Sequence, residues 1–380
     1  MPEAALVELR ERLGRTRYFD SFAGDGWDHG VSRSYLQDLC EYWRTTFDWR
    51  AQEAILNSFD QYRVDDEGQP IHFIHARSPN PDAVPLLLVH GWPGSIFEYV
   101  KVVAPLIDPL AHGGSAADGF HVVAPSIPGY GFSGPTVEPG WGPRRIAAAF
   151  AALMDRLGYD RYGAAGGDWG AIITTDLARA DRGRHLCGLH LTMPLGEPPP
   201  DGEHDVLSDA DRGGLDDWAN HQANGTVVHV AINSTRPHTL AFALNDSPAG
   251  LAAWLVDKYR SYSDCDGDVE TSFTRDELLA EITTYWVTGT IASASRLYFE
   301  RAHERAATQS PAGRIDVPTG CAIFPRDVRR VPRPWAERLY NIERWSEMPS
   351  GGHFPGLEEP ALLVDELRAF FRGHRDVSAS

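Results

Sequence analysis

The sequence predicts an α/β protein with a mostly parallel, doubly wound sheet that is interrupted by an inserted helical segment. Short apolar runs alternate with helix-forming segments between residues 71 and 192 and again after residue 321. Strands that alternate with helices at this spacing usually form a parallel sheet. Between the two regions, residues 195–310 have mostly helical periodicity, which predicts that a helical lid is inserted into the sheet domain.

Composition and charge narrow the range of functions. The 380 residues are 42% hydrophobic and 23% charged, which is ordinary for a globular enzyme. No apolar run is long enough to predict a membrane span or a signal peptide. The formal net charge of −18 repels nucleic-acid phosphates and anionic lipid surfaces. We therefore expect a soluble, cytoplasmic protein that acts on a small molecule and binds neither nucleic acid nor membrane. The sequence is also compatible with a homodimer.

The cysteines and the basic residues give two further expectations. The four cysteines lack the spacing of metal ligands, so we expect reduced thiols, no metal and no cofactor. They are Cys40, Cys187, Cys265 and Cys321. Of the 35 lysines and arginines only two, Lys101 and Lys258, are lysines, a bias that indicates a bacterial source with GC-rich DNA.

Apolar periodicity predicts the elements at the start of the chain. The charged segment 1–17 is helix-prone, and segment 35–49 has the pattern of an amphipathic helix. The residues that this helix is expected to bury are Leu36, Leu39, Tyr42 and Trp43. Residues 71–76 alternate like an exposed strand, whereas the continuous apolar run 85–89 is typical of a buried parallel strand.

The same patterns predict the later elements. In chain order they are a strand at 120–124, a helix at 144–157, a strand at 162–165, a helix at 169–180, and strands at 186–192, 321–324 and 344–348 before a helix at 360–371. The glycines and prolines of segment 196–202 continue neither helix nor strand, so this segment marks the start of the insertion. Inside the insertion, helical spacing covers 240–259 and 278–298.

A glycine-rich turn, Gly166-Gly-Asp-Trp-Gly170, lies between a predicted strand and a predicted helix. In a sharp turn of this kind, small residues on both sides of a central residue expose it as a nucleophile. The alternative is an ordinary turn in which Asp168 caps the helix. No Gly-x-Ser-x-Gly motif or cysteine equivalent occurs in the chain, so a nucleophile at this turn would be a carboxylate.

A carboxylate nucleophile limits the reactions that the site can catalyse. It is anionic near neutral pH, attacks a strained or halogenated sp³ carbon without a base, and leaves an ester that must then be hydrolysed. His353, after the last predicted strand, is the candidate base for this hydrolysis, and Asp327, after the strand that ends at Phe324, is the matching acid. Their order along the chain is nucleophile, acid and histidine, as this arrangement requires.

Further residues complete the candidate site. The segment His90-Gly-Trp-Pro-Gly-Ser95 follows a buried strand, so the backbone N–H of Trp92 can join that of Trp169 in an oxyanion hole. We interpret His90 itself as structural. Tyr298, on the lid, is the candidate proton donor to the oxygen that leaves the attacked carbon when a strained epoxide ring opens. The alternative is that Tyr298 is a packed core aromatic residue. The residues expected to line the substrate pocket are Trp92, Pro93, Trp169 and Phe354.

Taken together, these motifs resemble the microsomal-type epoxide hydrolases over nearly the whole chain. The resembling stretches are residues 43–59, 85–95, 128–133, 166–170, 244–251, 285–290 and 347–354. The resemblance implies an α/β-hydrolase fold of the soluble branch, because the apolar N-terminal helix of membrane-anchored relatives is missing. The domains that it implies are an N-terminal meander on core and lid at 1–75, a first core part at 76–194, a helical cap at 195–310 and a second core part at 311–380.

The resemblance also implies the role of each site residue. Asp168 corresponds to the nucleophile, Asp327 to the acid, His353 to the base and Tyr298 to one lid tyrosine. These enzymes usually have a second lid tyrosine at the position where this chain has His229. Either His229 supplies the second N–H donor or Tyr298 works alone, and a solvent-facing His229 is equally compatible with the sequence.

The leading hypothesis is hydrolysis of a hydrophobic, aryl or natural-product epoxide to a vicinal diol, in secondary metabolism or detoxification. Aromatic lid residues fit such a substrate, or else they pack the domain interface. These residues are Trp218, Trp254, Tyr285 and Trp286. A haloalkane dehalogenase is one alternative, because an aspartate nucleophile also suits it. An atypical epoxide-opening cyclase or a catalytically silent binding protein is another, because the second lid tyrosine is missing.

Overall fold

A single eight-stranded sheet forms the centre of the protein. The computed structural model describes residues 1–20, 24, 26–199, 206–307 and 313–375. The strands are β1 (Gln61–Asp66), β2 (Gln69–Ala76), β3 (Val84–Val89), β4 (Phe120–Pro125), β5 (Tyr162–Gly166), β6 (Leu186–Leu191), β7 (Ile315–Ile323) and β8 (Tyr340–Glu347). Their order across the sheet is β1-β2-β4-β3-β5-β6-β7-β8.

The sheet is parallel except at one edge. β2 pairs antiparallel with both β1 and β4, and all other neighbours pair in parallel. The predicted fold class is confirmed, because a mostly parallel sheet is interrupted after β6 by a helical insertion. Since the parallel strands run in one direction, the loops that follow β3, β5, β7 and β8 meet at the same edge of the sheet.

Helices pack on the sheet and also make up the insertion. They are α1 (Glu3–Gly14), α2 (Arg33–Thr45), α3 (Trp49–Leu56), α4 (Val100–Ile107), α5 (Pro143–Arg156), α6 (Trp169–Asp181), α7 (Asp209–Ala223), α8 (Val228–Thr235), α9 (Pro237–Asp246), α10 (Pro248–Tyr262), α11 (Arg275–Thr288), α12 (Ile291–Ala307), α13 (Arg333–Glu337), α14 (Pro355–Glu358) and α15 (Pro360–Phe371). Helices α7 to α12 form the insertion. Part of the predicted turn at 196–202 lies outside the described residues. Within the described part, no helix has the length and apolar character needed to cross a bilayer.

Each of the two long helical patterns predicted in the insertion is divided into two helices. Ser247 has an extended backbone between α9 and α10, and its hydroxyl accepts the N–H of Gly250 to cap α10. α11 ends before Gly289, whose φ of 64° lies in the left-handed region that glycine favours. The apolar spacing continues across both breaks, which is why the sequence pattern did not separate the helices.

The predicted alternation of β2 does not leave one face of the strand exposed. β2 lies between β1 and β4, and almost all of its residues are buried. The imidazole of His72 hydrogen-bonds to Ser126 Oγ at 3.0 Å, and that of His75 hydrogen-bonds to the Tyr159 hydroxyl at 2.8 Å. The prediction of an exposed strand was wrong because these polar side chains satisfy their hydrogen bonds inside the protein.

The N-terminal helices pack against the lid. α1 and α2 contact α10, and α3 contacts α11. The indole N–H of Trp43 donates to Thr283 Oγ1 on α11 at 2.9 Å. Leu39 and Trp43 are buried as predicted, whereas Leu36 and Tyr42 are only partly buried. The first helices of the chain therefore position two helices of the insertion.

Three chain segments approach one another closely where β3 and β5 end. A Cβ atom on Gly170 would lie 1.8 Å from the carbonyl oxygen of Val89, and one on Gly166 would lie 2.6 Å from the carbonyl carbon of Gly170. A Cβ atom on Gly91 would lie 2.5 Å from Cβ of Asp168. Non-bonded carbon and oxygen atoms do not approach this closely, so the turn requires glycine at all three positions.

Gly170→Ala is expected to lower the free energy of unfolding by about 3 kcal/mol, because the added methyl group forces α6 away from β3. Gly213→Ala is the matched control, since Gly213 lies in α7 with open space around its Cα. Alanine there should stabilise the protein by up to about 1 kcal/mol. Urea denaturation of both variants measures the difference, and equal stabilities would contradict the close packing of the turn.

Candidate active site

Asp168 lies at the turn between β5 and α6, at the edge of the sheet where the loops meet. Its backbone has φ 49° and ψ −120°, a conformation that is uncommon for a residue other than glycine. The side chain makes no capping hydrogen bond to α6, and it is 22% exposed. This geometry favours a presented nucleophile over the alternative of a helix-capping aspartate.

A backbone N–H group holds one oxygen of Asp168. The N–H of Trp92 donates to Asp168 Oδ1 at 2.7 Å, because β3 and β5 are neighbours and Trp92 follows β3. Nε2 of His90 accepts the backbone N–H of Ile127 at 3.1 Å, which ties the loop after β3 to the loop after β4. Trp169 directly follows Asp168, and its contribution to the oxyanion hole stays a prediction.

His353 and Asp327 form a buried pair beside Asp168. Nδ1 of His353 lies 2.7 Å from Asp327 Oδ1, and Nε2 lies 3.7 Å from Asp168 Oδ2. The backbone N–H of His353 donates to the carbonyl of Tyr262 on α10 at 2.9 Å. Both side chains of the pair are almost fully buried. The loops after β5, β7 and β8 thus bring together the three residues whose order along the chain suggested a common site.

Two carboxylates determine the protonation state of His353. Burial by itself lowers the pKa of His353, but the negative charges of Asp327 and Asp168 and the hydrogen bond to Asp327 outweigh burial and hold this pKa well above its ordinary value. These two charges therefore favour the imidazolium form of His353 in the resting site. Loss of the negative charge of Asp168, as in an ester, removes part of this stabilisation and frees the imidazole to act as a base.

Tyr298, on α12, lies in an aromatic wall of the site. Its ring meets the ring of Trp169 at 4.6 Å and the ring of Trp92 at 5.9 Å, both nearly perpendicular. Burial raises the pKa of Tyr298 well above its ordinary value, and the negative charge of Asp168 acts in the same direction. The phenol is therefore protonated at neutral pH and is available as a hydrogen-bond donor.

His229, on α8, belongs to the same aromatic wall. Its ring stacks on that of Trp92, with the ring centroids 4.7 Å apart and an interplanar angle of 19°. It also meets the ring of Tyr298 edge-on at 5.5 Å. The side chain is buried, so of the possibilities that the sequence left open for His229 the solvent-facing one does not occur.

A small, narrow cavity lies beside Asp168 and His353. It is lined by Gly91, Trp92, Gly94, Glu98, Gly167, Asp168, His353 and Phe354. Of the residues predicted for the substrate pocket, Trp92 and Phe354 therefore line this cavity, whereas Pro93 and Trp169 do not. A larger surface cleft between residues 137–139 and the lid segment 235–239 contains none of the predicted site residues.

Sequence reasoning missed three polar residues near the site. Glu98 lines the cavity, and burial raises the pKa of Glu98 to about 8 and that of its neighbour Glu281 to about 8. The ring of Tyr262 lies 5.6 Å from that of His353. No motif marks these residues, because only the packing of α10 and α11 on the core buries them. Within the described residues, no cluster of three or more side chains has the composition and spacing of a metal site.

Comparisons with known proteins give one consistent result. Residues 1–99 match a family model described as the epoxide hydrolase N terminus, and residues 84–238 match the alpha/beta hydrolase fold. The chain is similar to a Stigmatella aurantiaca protein named "Putative epoxide hydrolase", with 44% identity over 98% of this chain and 83% of the relative. It is also similar to epoxide hydrolase 1 of Sus scrofa, with 36% identity over 96% of this chain and 85% of the relative.

A solved structure extends the likeness to three dimensions. The epoxide hydrolase of Aspergillus niger superposes on this chain with a TM-score of 0.87 and 30% sequence identity, over 98% of this chain and 94% of that one. The likeness therefore includes the N-terminal helices, the sheet and the lid.

Asp168→Asn is expected to lower the pKa of His353, because it removes one of the two negative charges that favour the imidazolium ion. An NMR titration of the His353 ring protons measures this pKa. Asp160→Asn is the control, since Asp160 is exposed on the surface and its loss should leave the pKa of His353 unchanged. An unaltered His353 titration in Asp168→Asn would contradict the proposed electrostatic coupling.

Proposed function

The chain belongs to the epoxide hydrolase family and converts an epoxide to a diol, and from this premise we propose that Asp168, His353 and Asp327 perform the two steps of the reaction. The observation that carries the proposal is the different environment of the two Asp168 oxygens. Oδ1 accepts the N–H of Trp92 at 2.7 Å, whereas Oδ2 faces Nε2 of His353 at 3.7 Å. One oxygen is held in place by a backbone donor, and the other faces the imidazole.

In the first step, Oδ2 of Asp168 attacks an epoxide carbon and forms a carbon–oxygen bond. The bond between that carbon and the ring oxygen breaks, and the ring oxygen takes its electron pair and the phenolic proton of Tyr298. The phenolate is reprotonated through water, and the imidazolium ion of His353 is the source of that proton. The product is a glycol monoester of Asp168 beside a neutral imidazole.

In the second step, the neutral imidazole of His353 takes a proton from water, and the resulting hydroxide attacks the ester carbonyl carbon. The negative charge that develops on Oδ1 is stabilised by the N–H of Trp92, and Trp169 is the candidate for a second donor. The departing glycol oxygen takes the remaining hydroxyl proton. This step regenerates the carboxylate of Asp168 and the imidazolium ion, whose tautomer and charge Asp327 stabilises.

The apolar and aromatic walls support a hydrophobic epoxide as the substrate. Trp92 and Phe354 line the cavity, and Tyr298 packs against Trp92.

The arginine bias and the reduced, buried cysteines support a bacterial, cytoplasmic enzyme of secondary metabolism or detoxification. The haloalkane dehalogenase alternative has one favourable observation, since the indole N–H group of Trp92 makes no hydrogen bond within the described residues. Release of bromide from a bromoalkane tests this alternative.

His353→Gln is expected to trap the glycol monoester, because glutamine cannot accept a proton from water. After incubation with styrene oxide, the mass of the intact protein should rise by the mass of one substrate molecule, and turnover should fall by at least about 100-fold. In the double variant Asp168→Ala/His353→Gln, the mass should stay unchanged. An unmodified His353→Gln protein, or equal modification of the double variant, would refute Asp168 as the nucleophile.

Tyr298→Phe is expected to slow formation of the ester by about 100-fold or more, because the ring oxygen loses its proton donor. Single-turnover kinetics with styrene oxide measures this step separately from ester hydrolysis. Tyr159→Phe is the matched control, since the Tyr159 hydroxyl hydrogen-bonds to His75 in the sheet and not in the site. Normal ester formation in Tyr298→Phe would exclude Tyr298 as the donor.

A further inference from the structure

One ring nitrogen of His229 faces hydrogen-bond acceptors, and from this arrangement we infer that the substrate carries a hydroxyl group on the carbon next to the epoxide, which donates a hydrogen bond to Nε2 of His229. The inference rests on the proposed function and specifies the substrate class of that site. It depends on where the single proton of a neutral imidazole lies, and three residues around His229 determine this.

The carbonyl oxygen of Thr226 accepts hydrogen bonds from two donors. Nζ of Lys258 donates to it at 2.8 Å, and the hydroxyl of Tyr262 donates to it at 2.7 Å. A backbone carbonyl oxygen has two lone pairs, so both are occupied. The hydroxyl proton of Tyr262 therefore points toward Thr226 and away from other partners.

The hydroxyl oxygen of Tyr262 also lies 3.4 Å from Nδ1 of His229. Because the Tyr262 proton is directed to Thr226 at the much shorter distance, this oxygen presents a lone pair to His229. The imidazole consequently carries its proton on Nδ1, since the neutral ring has one N–H and one bare nitrogen. Nε2, on the opposite side of the ring, then has a lone pair and no hydrogen.

His229 stays neutral at physiological pH. Burial lowers the pKa of His229 to about 3, and the positive charge of Lys258 acts in the same direction. The side chain of Lys258 is itself 2% exposed, and its ammonium group lies 2.7 Å from Asp257 Oδ2. Protonation of His229 would place a second positive charge next to this buried ion pair, so Nε2 does not become a donor by protonation.

Nδ1 is the ring nitrogen of His229 for which the structure gives a hydrogen-bond partner, and Nε2 has none within the described part of the chain. The ring nevertheless belongs to the site wall, since it stacks on Trp92, whose N–H holds Asp168. A lone pair there repels the alkoxide that forms from the ring oxygen, so of the two lid residues only Tyr298 donates to it. An apolar substrate would leave this acceptor unpaired, whereas a neighbouring hydroxyl group would satisfy it.

Matched substrates test the inference. The probes are 3-phenylglycidol, its methyl ether and β-methylstyrene oxide, which share the aryl epoxide and differ in the hydrogen-bond donor. We expect kcat/KM for the alcohol to exceed that for the ether by about 10- to 100-fold. The ratio should fall to about 1 in His229→Phe. It should not change in His238→Phe, the control, because His238 is exposed on α9.

The outcomes separate the inference from the proposed function. Equal kcat/KM values for alcohol and ether in the wild-type protein overturn the role of His229 but leave epoxide hydrolysis intact. Absence of turnover with all three epoxides contradicts the proposed function and the inference together. A ratio that persists in His229→Phe assigns the discrimination to another residue and overturns the inference.

The tautomer is measured independently of activity. In ¹⁵N-histidine-labelled wild-type protein, long-range ¹H–¹⁵N spectra report the proton position on each imidazole. We expect a proton on Nδ1 of His229 and a bare Nε2 between pH 6 and about 8. A proton on Nε2 in the wild-type protein overturns the inference, even where His229→Phe is too unstable to assay.

Discussion

The close approach of α6 to the ends of β3 and β5 is the packing constraint on which the site depends. It forces Asp168 into a left-handed backbone conformation, and strain of this kind costs about 1–3 kcal/mol. The surrounding sheet and the glycines of the turn maintain it. The same packing places the N–H of Trp92 within hydrogen-bond distance of the carboxylate. A looser turn would lose both the exposed side chain and the donor that holds it.

Electrostatics connects this turn to the other two loops of the site. His353 lies between Asp327 and Asp168, and their charges overcome the effect of burial on the pKa of His353. The interaction with Asp168 exists only while that side chain is a carboxylate. In the proposed cycle, formation of an ester therefore lowers the pKa of His353 at the step that requires a base. Asp327 keeps its charge throughout and preserves the orientation of the ring.

In our proposal the lid supplies the groups that distinguish substrates, and the lid packs against the N-terminal helices. α10 and α11 are held by contacts from α1, α2 and α3. α10 in turn carries Lys258 and Tyr262, whose hydrogen bonds to Thr226 are the basis of the proton position that we propose for His229. In our proposal Tyr298 donates a hydrogen bond and His229 accepts one, although their rings lie side by side in one aromatic wall.

The sequence by itself determined the parallel sheet with its helical insertion, because strand periodicity and turn glycines are local properties of the chain. It also singled out Asp168, Asp327 and His353, which the structure brings close together. The exposure predicted for β2 was wrong, because its polar residues are buried and form hydrogen bonds with other segments. The sequence offered no indication of Glu98, Glu281 or Tyr262. Only the tertiary structure decided these, because burial, pKa and the position of an imidazole proton depend on neighbours that are distant along the chain.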